Sequence, residues 1–265
     1  MWTPDALRSE IRACDLDIWR AVEAQHKAST MRLTDTLEEQ ALLEEILERS
    51  KPAFPKECVG FHYLLYTPFR YTPYPRGSRF RRAGQTDGVF YGSEKVDTAI
   101  AEIAFYRLLF FAESPDAISP SLPVEHTVFA VGCATARHID LTAPPLDRDA
   151  KIWTAPSEYG ACQQFADTAR GEHIEIIRYQ SVRDPNRGIN CAVLSPGAFT
   201  ERRPKGEQSW HIFPGVYGVR AWCENPKMSL EFGRGDFNND PRLSAVAVPD
   251  GRVRRRRKLP TPGDS

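Results

Sequence analysis

The densest chemistry-bearing stretch of the sequence runs from Phe69 to Glu102. Arg70, Arg76, Arg79, Arg81 and Arg82 fall within thirteen residues, interleaved with Tyr71, Tyr74 and Phe80. A guanidinium grips a phosphate through two parallel charge-assisted hydrogen bonds, which a lysine cannot copy. Aromatic rings beside it offer stacking surfaces for a base or a pyridinium ring. Pro68, Pro73, Pro75 and Gly77 keep the segment out of a helix and put the arginines on a strand end and loop. An arginine-rich surface loop has the same composition, so the stretch alone leaves an anion site and a solvated loop both open.

Eleven residues beyond Tyr91 stands Glu102, inside the apolar run Ala99-Ile-Ala-Glu-Ile-Ala-Phe105. Its carboxylate has two readings. It lies on a solvated helix face, or it points into a cleft where it stabilises positive charge on a sugar ring or accepts a proton. A third constellation, Ile176-Ile-Arg-Tyr-Gln-Ser-Val-Arg-Asp-Pro185, delivers Ser181 to the end of a strand. No Gly-x-Ser-x-Gly elbow surrounds that serine, which disfavours nucleophilic chemistry and favours a hydrogen-bonding role.

Three further signals weigh less. His138-x-Asp140 puts two possible metal ligands on one strand face, but no third ligand stands nearby, so a partly buried pair is the better reading and no metal is expected. Cys162 and Cys191 flank Ser181 in the sequence without a local arrangement that would activate either thiol. Arg252 to Lys258 is almost entirely basic and runs into Pro260, which reads as a flexible tail over 251–265, with a nucleic-acid contact as the alternative.

The elements that must position these groups belong to an ordinary globular chain. It has 265 residues, 41% of them apolar and 26% charged, with a net charge of zero, so attraction to an anion must come from local clustering. Its six cysteines form no CxxC pair, which argues against a zinc module and a disulfide scaffold. The absence of a secretory or membrane-spanning run leads to the expectation of a cytoplasmic protein.

Residues 1–60 read as a helical extension. Thr36-Leu-Glu-Glu39 forms a capping-box pattern before Leu37, Leu42, Leu43, Ile46 and Leu47, and Lys51-Pro52 ends that helix. His62 to Tyr66 reads as extended. Beyond it the pattern predicts a strand at Val89–Tyr91, a helix from Glu94 to Phe111 and separate strands at Thr127–Val131 and Arg137–Leu141. A helix from Ser157, its candidate N-cap, to Arg170 follows, with Gly171 as the stop. Further strands are expected at Ile174–Tyr179, Cys191–Leu194, His211–Val219 and Leu243–Val248. The fold class is α+β, with a main domain over 61–250.

Taken together and in order, Phe69-Arg-Tyr71, Gly77-Ser-Arg-Phe80, Val89-Phe-Tyr91, Thr98-Ala-Ile-Ala-Glu102 and Tyr179-Gln-Ser-Val-Arg183 resemble the RES domain family over roughly Phe61 to Phe199. The chain departs from that family's pattern at Ser78, where a second glycine is usual, and at Arg81, where asparagine is. The resemblance implies an ADP-ribosyltransferase-like mixed sheet core with flanking helices. It also implies an enzyme that consumes NAD as its substrate, with no further cofactor, and a toxin neutralised by a helix-turn-helix, DNA-binding antitoxin. Nucleic acid would then be met only through that partner. By the same carry-over Arg70 and Arg79 hold the NAD phosphates, with Tyr71 beside them, and Tyr91 packs at the nicotinamide end. Glu102 acts at the scissile ribose, and Ser181 and Asn190 make polar contacts. Breakdown of NAD ranks above transfer of ADP-ribose to a protein. An RNA-binding or RNA-cleaving protein and a non-catalytic nucleotide-binding module remain as rivals.

Overall fold

Leu16, Ile18 and Val22 fall on alternate positions, with Asp15 before them and Asp17 between the first two, a period-two pattern that suits a half-buried strand. In the computed structural model, which describes residues 2–24, 33–53, 55–70, 77–84, 87–114, 116 and 120–244, that segment is strand β1, Arg12–Glu23. The expectation of a wholly helical N-terminal extension is therefore corrected. Helix α1 (Pro4–Arg8) is short, and β1 pairs along nearly its whole length with β3, from Arg12↔His138 to Glu23↔His126.

The sheet has eight strands in the order β1-β2-β5-β4-β3-β6-β7-β8, with β1 also bonded to β3. These are β2 (Phe90–Ser93), β3 (Val124–Asp140), β4 (Ile176–Gln180), β5 (Ile189–Val193), β6 (Gly206–Gly215), β7 (Gly218–Cys223) and β8 (Met228–Gly233). The extra pairing closes β1, β2, β5, β4 and β3 into a ring, from which β6, β7 and β8 continue as antiparallel neighbours. Among the described residues, only β3 and β4 run parallel.

Two strands expected near residues 127–141 are the single seventeen-residue β3. Gly132, inside that strand, serves close approach: a Cβ there would sit 2.3 Å from Thr200 Oγ1 and 2.7 Å from Lys205 Nζ. The segment around 211–219 is a β6–β7 hairpin rather than one strand. Leu243 belongs to a short helix, α7 (Pro241–Ser244), and residues 245–248 lie outside those described, as does the basic run 252–258.

Thr36 caps helix α2 (Leu37–Ser50) with the expected reciprocal box to Glu39, and Lys51 leaves the helix in extended geometry. Its apolar series does not pack inward; Leu37, Leu42, Ile46 and Leu47 are exposed. Residues expected to be extended near 62–66 open helix α3 (Tyr63–Arg70), which buries Leu64, Leu65 and Phe69. Helix α4 (Val96–Glu113) matches expectation. After α5 (Ala150–Trp153), helix α6 (Gly160–Gly171) starts later than Ser157, behind Tyr159 and without a side-chain cap. Its left-handed residue is His173, not Gly171.

Three apolar clusters fix these pieces. One packs α6 on Ile139, Ile177 and Ala192; another packs α4 on Trp210, Ile212 and Val219 of β6 and β7, closed by Phe237 and Leu243. The third joins α3 to Ile18, Phe90, Val131 and Val193 of the ring strands. No helix among the described residues is long and apolar enough to cross a membrane.

Candidate active site

Alternation along the strands decides which side chains reach the site. On β5, Cys191 and Val193 enter the cluster under α3, so Asn190 takes the other face. On β2, Phe90 does the same and Tyr91 and Ser93 oppose it. The register sets Ser93 directly across from Asn190, and Asn190 across from Tyr179. Helix α4 lies against this edge with Glu102 two turns into it.

Glu102 is the focus. Its Oε1 accepts a hydrogen bond from Ser181 Oγ at 2.7 Å and another from Asn190 Nδ2 at 2.6 Å. Ser181 Oγ in turn accepts from the backbone N–H groups of Arg183 and Asp184. Asn190 Oδ1 accepts from Ser93 Oγ at 2.6 Å, which steadies the amide whose nitrogen faces Glu102. Ser93, Ser181 and Asn190 are all buried. One carboxylate oxygen is thus fully engaged, and Oε2 takes no hydrogen bond among the described residues.

The loop carrying Ser181 is bolted to the same helix. Thr98, one turn before Glu102, donates to Asp184 Oδ2 at 2.7 Å, and the Asn186 and Gly188 N–H groups also donate to that carboxylate. Gly188 is obligatory here, since a Cβ would stand 2.1 Å from Thr98 Oγ1 and 2.4 Å from Asp184 Oδ2.

Glu102 opens onto a cleft of about 450 Å³. Among the described residues four arginines line it (Arg20, Arg79, Arg81 and Arg183), against Glu102 as the one carboxylate. A chain with no net charge therefore concentrates positive potential at one concave place. Arg79 Nη1 and Nη2 donate to the carbonyls of Trp153 and Ala155, and its guanidinium lies 4.9 Å from the centre of the Tyr159 ring. Arg20 Nη1 donates to Tyr91 O at 2.7 Å, while its Nε is buried without a hydrogen-bond partner. Burial pulls the Arg20 pKa down to about 10, so it remains a cation at neutral pH but an under-solvated one. The Tyr91 hydroxyl bonds Ser78 Oγ at 2.8 Å and accepts from Phe80 N at 3.0 Å; burial pushes its pKa up, which keeps it a neutral phenol.

The residues predicted from the sequence divide accordingly. Glu102, Ser181, Asn190, Tyr91 and Arg79 come together. Arg70 does not line the cleft; it bonds Glu48 Oε1 at 2.7 Å and Pro52 O at 2.6 Å, where it ties α3 to α2. Tyr71 lies outside the described residues. Arg20, Ser93 and Tyr159 were not found by sequence reasoning. For Arg20 the signal was the β1 alternation. Ser93 and Tyr159 become visible only once strand register and loop closure are known.

The alternatives fare differently. Asp140 spends a carboxylate oxygen on Arg178, and no group of three potential metal ligands forms among the described residues. Cys162 is buried, and burial raises its pKa. Cys191 faces away from Asn190 and is likewise raised by burial, so neither thiol is poised for nucleophilic attack.

No curated protein matches the sequence. Among solved structures, a chain of the M. tuberculosis MbcT–MbcA toxin–antitoxin complex is similar in shape, with 11% sequence identity, a TM-score of 0.44, and coverage of 89% of this chain and 94% of that one. The RES domain model matches residues 54–213, more than half of the sequence and the span that carries Arg79, Tyr91, Glu102, Ser181 and Asn190, so the chain belongs to the RES domain family.

Proposed function

We propose that the protein binds NAD and cleaves its nicotinamide–ribose bond, releasing nicotinamide to leave an ADP-ribosyl group on water or phosphate. The observation that carries this reading is one carboxylate, Glu102, held by Ser181 and Asn190 at the wall of an arginine-lined cleft. Cationic nicotinamide is a good leaving group, so the protein must do three things: bind the pyrophosphate, orient the ring and stabilise the oxocarbenium-like charge that develops on the ribose. The arginines meet the first need, with Arg20 in the part that Arg70 was expected to play. Tyr91 meets the second. Glu102 meets the third, with its unbonded Oε2 as the negative charge offered to the sugar. Pinning Oε1 by two donors fixes the carboxylate before the reaction, so little reorganisation is needed as charge develops.

The cellular role that fits a RES domain chain of this kind is the toxin of a toxin–antitoxin pair, restrained by a DNA-binding protein and acting by depletion of NAD. The sheet core would then be of the ADP-ribosyltransferase type, and transfer of ADP-ribose to a protein is the second reading. Incubation with NAD, with and without phosphate, followed by mass identification of the products, tests the reaction and names the acceptor. Free nicotinamide with ADP-ribose or its phosphorylated form supports breakdown. Intact NAD after long incubation overturns the reading. Expression in a bacterial host should arrest growth and lower NAD; normal growth with abundant soluble protein counts against the toxin role.

A further inference from the structure

Arg183 lies two residues past Ser181 and lines the cleft, but it is only 3% exposed and is held from two distant parts of the chain. On one side its Nη2 donates to Pro156 O at 2.5 Å and to the Tyr159 hydroxyl at 3.2 Å. Its guanidinium stacks 3.9 Å from the centre of the Phe105 ring. On the other side its Nη1 stands 2.7 Å from Asp240 Oδ2, an ion pair whose angle is not that of a hydrogen bond. Asp240 is completely buried and is itself fixed by Arg242, which donates to both carboxylate oxygens through Nε and Nη2. Next to it, Asn239 Nδ2 donates to Val182 O at 3.1 Å.

Arg79 grips the same loop as Arg183. It donates to Trp153 O and Ala155 O and lies over Tyr159, so two cleft arginines hold the segment 153–159 together, sharing Tyr159. A buried guanidinium without a counter-charge moves toward water or drags its partners with it. We propose that Asp240 is a positioning residue of this site: through Arg183 it sets the 153–159 loop, and through that loop the placement of Arg79 in the cleft. Residues 234–244, beyond the stretch matched by the RES domain model, thereby become part of the binding machinery.

The proposal rests on the NAD reading for its assay. Asp240→Asn keeps the shape and removes the charge, and Tyr159→Phe removes the hydroxyl that receives Arg183 while keeping the ring under Arg79. Nicotinamide release should show KM for NAD rising on the order of tenfold in Asp240→Asn, a fraction of what a displaced positioning group costs at worst. The kcat should fall by less than about threefold, because Glu102 keeps both of its donors. The double variant should be no worse than the more damaged single one, because both act along one chain of contacts. A KM within about twofold of wild type beside a lowered melting temperature would make Asp240 merely structural and overturn the proposal, as would additive effects in the double variant. Should Asp240→Asn not fold, Tyr159→Phe alone decides: a raised KM supports the relay and an unchanged one overturns it. A wild-type chain that neither binds nor cleaves NAD overturns the NAD reading and this proposal with it; an active wild type beside an unaffected variant overturns the positioning role alone.

Discussion

Asn190 can donate to Glu102 in only one of its two amide orientations; the acceptor-only carboxylate demands that one, and the Ser93 hydroxyl supports it by donating to the amide oxygen on the other side. Ser93→Ala should therefore leave NAD affinity within about twofold and lower turnover by about tenfold, the scale of one loosened donor in a preorganised site; equal turnover would show that Asn190 is held well enough without Ser93. Glu102→Gln is the sharper case. The substituted amide oxygen can still accept from Ser181 and Asn190, so shape and packing persist while the charge is gone. Turnover should fall by roughly two to four orders of magnitude with far less effect on NAD binding, as measured by nicotinamide release and calorimetry. A fully active Glu102→Gln protein would end the mechanism. Of this candidate site, Tyr91, Glu102 and Ser181 stood in ordered short motifs, each weak by itself, and Asn190 came only with the resemblance that those motifs carried. Arg70 stands away from the cleft, which the sequence does not reveal, because an arginine beside aromatics looks the same whether it faces a ligand or, as here, Glu48 of α2. Which arginine is left for a ligand depends on which carboxylates the fold brings to the others, a property of long-range packing.

At the scale of elements, the loop between β4 and β5 is held by one carboxylate and one missing side chain. Gly188→Ala would force Thr98 and Asp184 apart, and should cost about 1–3 kcal/mol in chemical denaturation while displacing Ser181 enough to lower turnover. Unchanged stability would mean that the loop opens freely. The cap of α2 makes a more modest case: Thr36→Ala should cost about 1 kcal/mol of that helix, seen as faster amide exchange over 37–44 with the site unaffected. The same elements explain what could be read in advance. Helix α2 announced itself through its capping box and Lys51-Pro52, and α4 through its apolar run, because both signals are local. β1 was missed although its alternation is plain, since Asp15, Asp17 and Arg20 make the segment look polar and its partner β3 lies more than a hundred residues away. β3 was read as two strands, Thr127–Val131 and Arg137–Leu141, because the chain packed against its middle at Gly132, around Thr200 and Lys205, is invisible from the local sequence.

For the molecule as a whole, two buried histidines set the response to acid. Burial holds His126 and His138 below the ordinary imidazole value of 6.5, so both are neutral in the folded protein. The unfolded chain takes up protons at these positions from about pH 6.5 downward while the folded one resists, so stability should fall as pH drops below that point. Asp240 adds a second stage. Burial pushes its carboxyl up, but the bonds from Arg242 and the charge of Arg183 outweigh this and leave it below its ordinary 3.8. Its contribution is present above that value and disappears as pH falls through the folded pKa. Melting temperatures measured from about pH 8 to 4 should show the first loss, and replacing both histidines with glutamine should flatten it; a wild-type curve level between about pH 7 and 5 would contradict the assignment. The closed ring of strands has an effect in time as well as in space. Because β1 closes on β3 and β2, and the cleft takes side chains from Arg20 to Asn190, a growing polypeptide still threading out of the ribosome has no finished cleft until most of its length has emerged. If the finished enzyme consumes NAD, its synthesis allows an interval in which a partner already present can meet the chain before it turns over a single molecule.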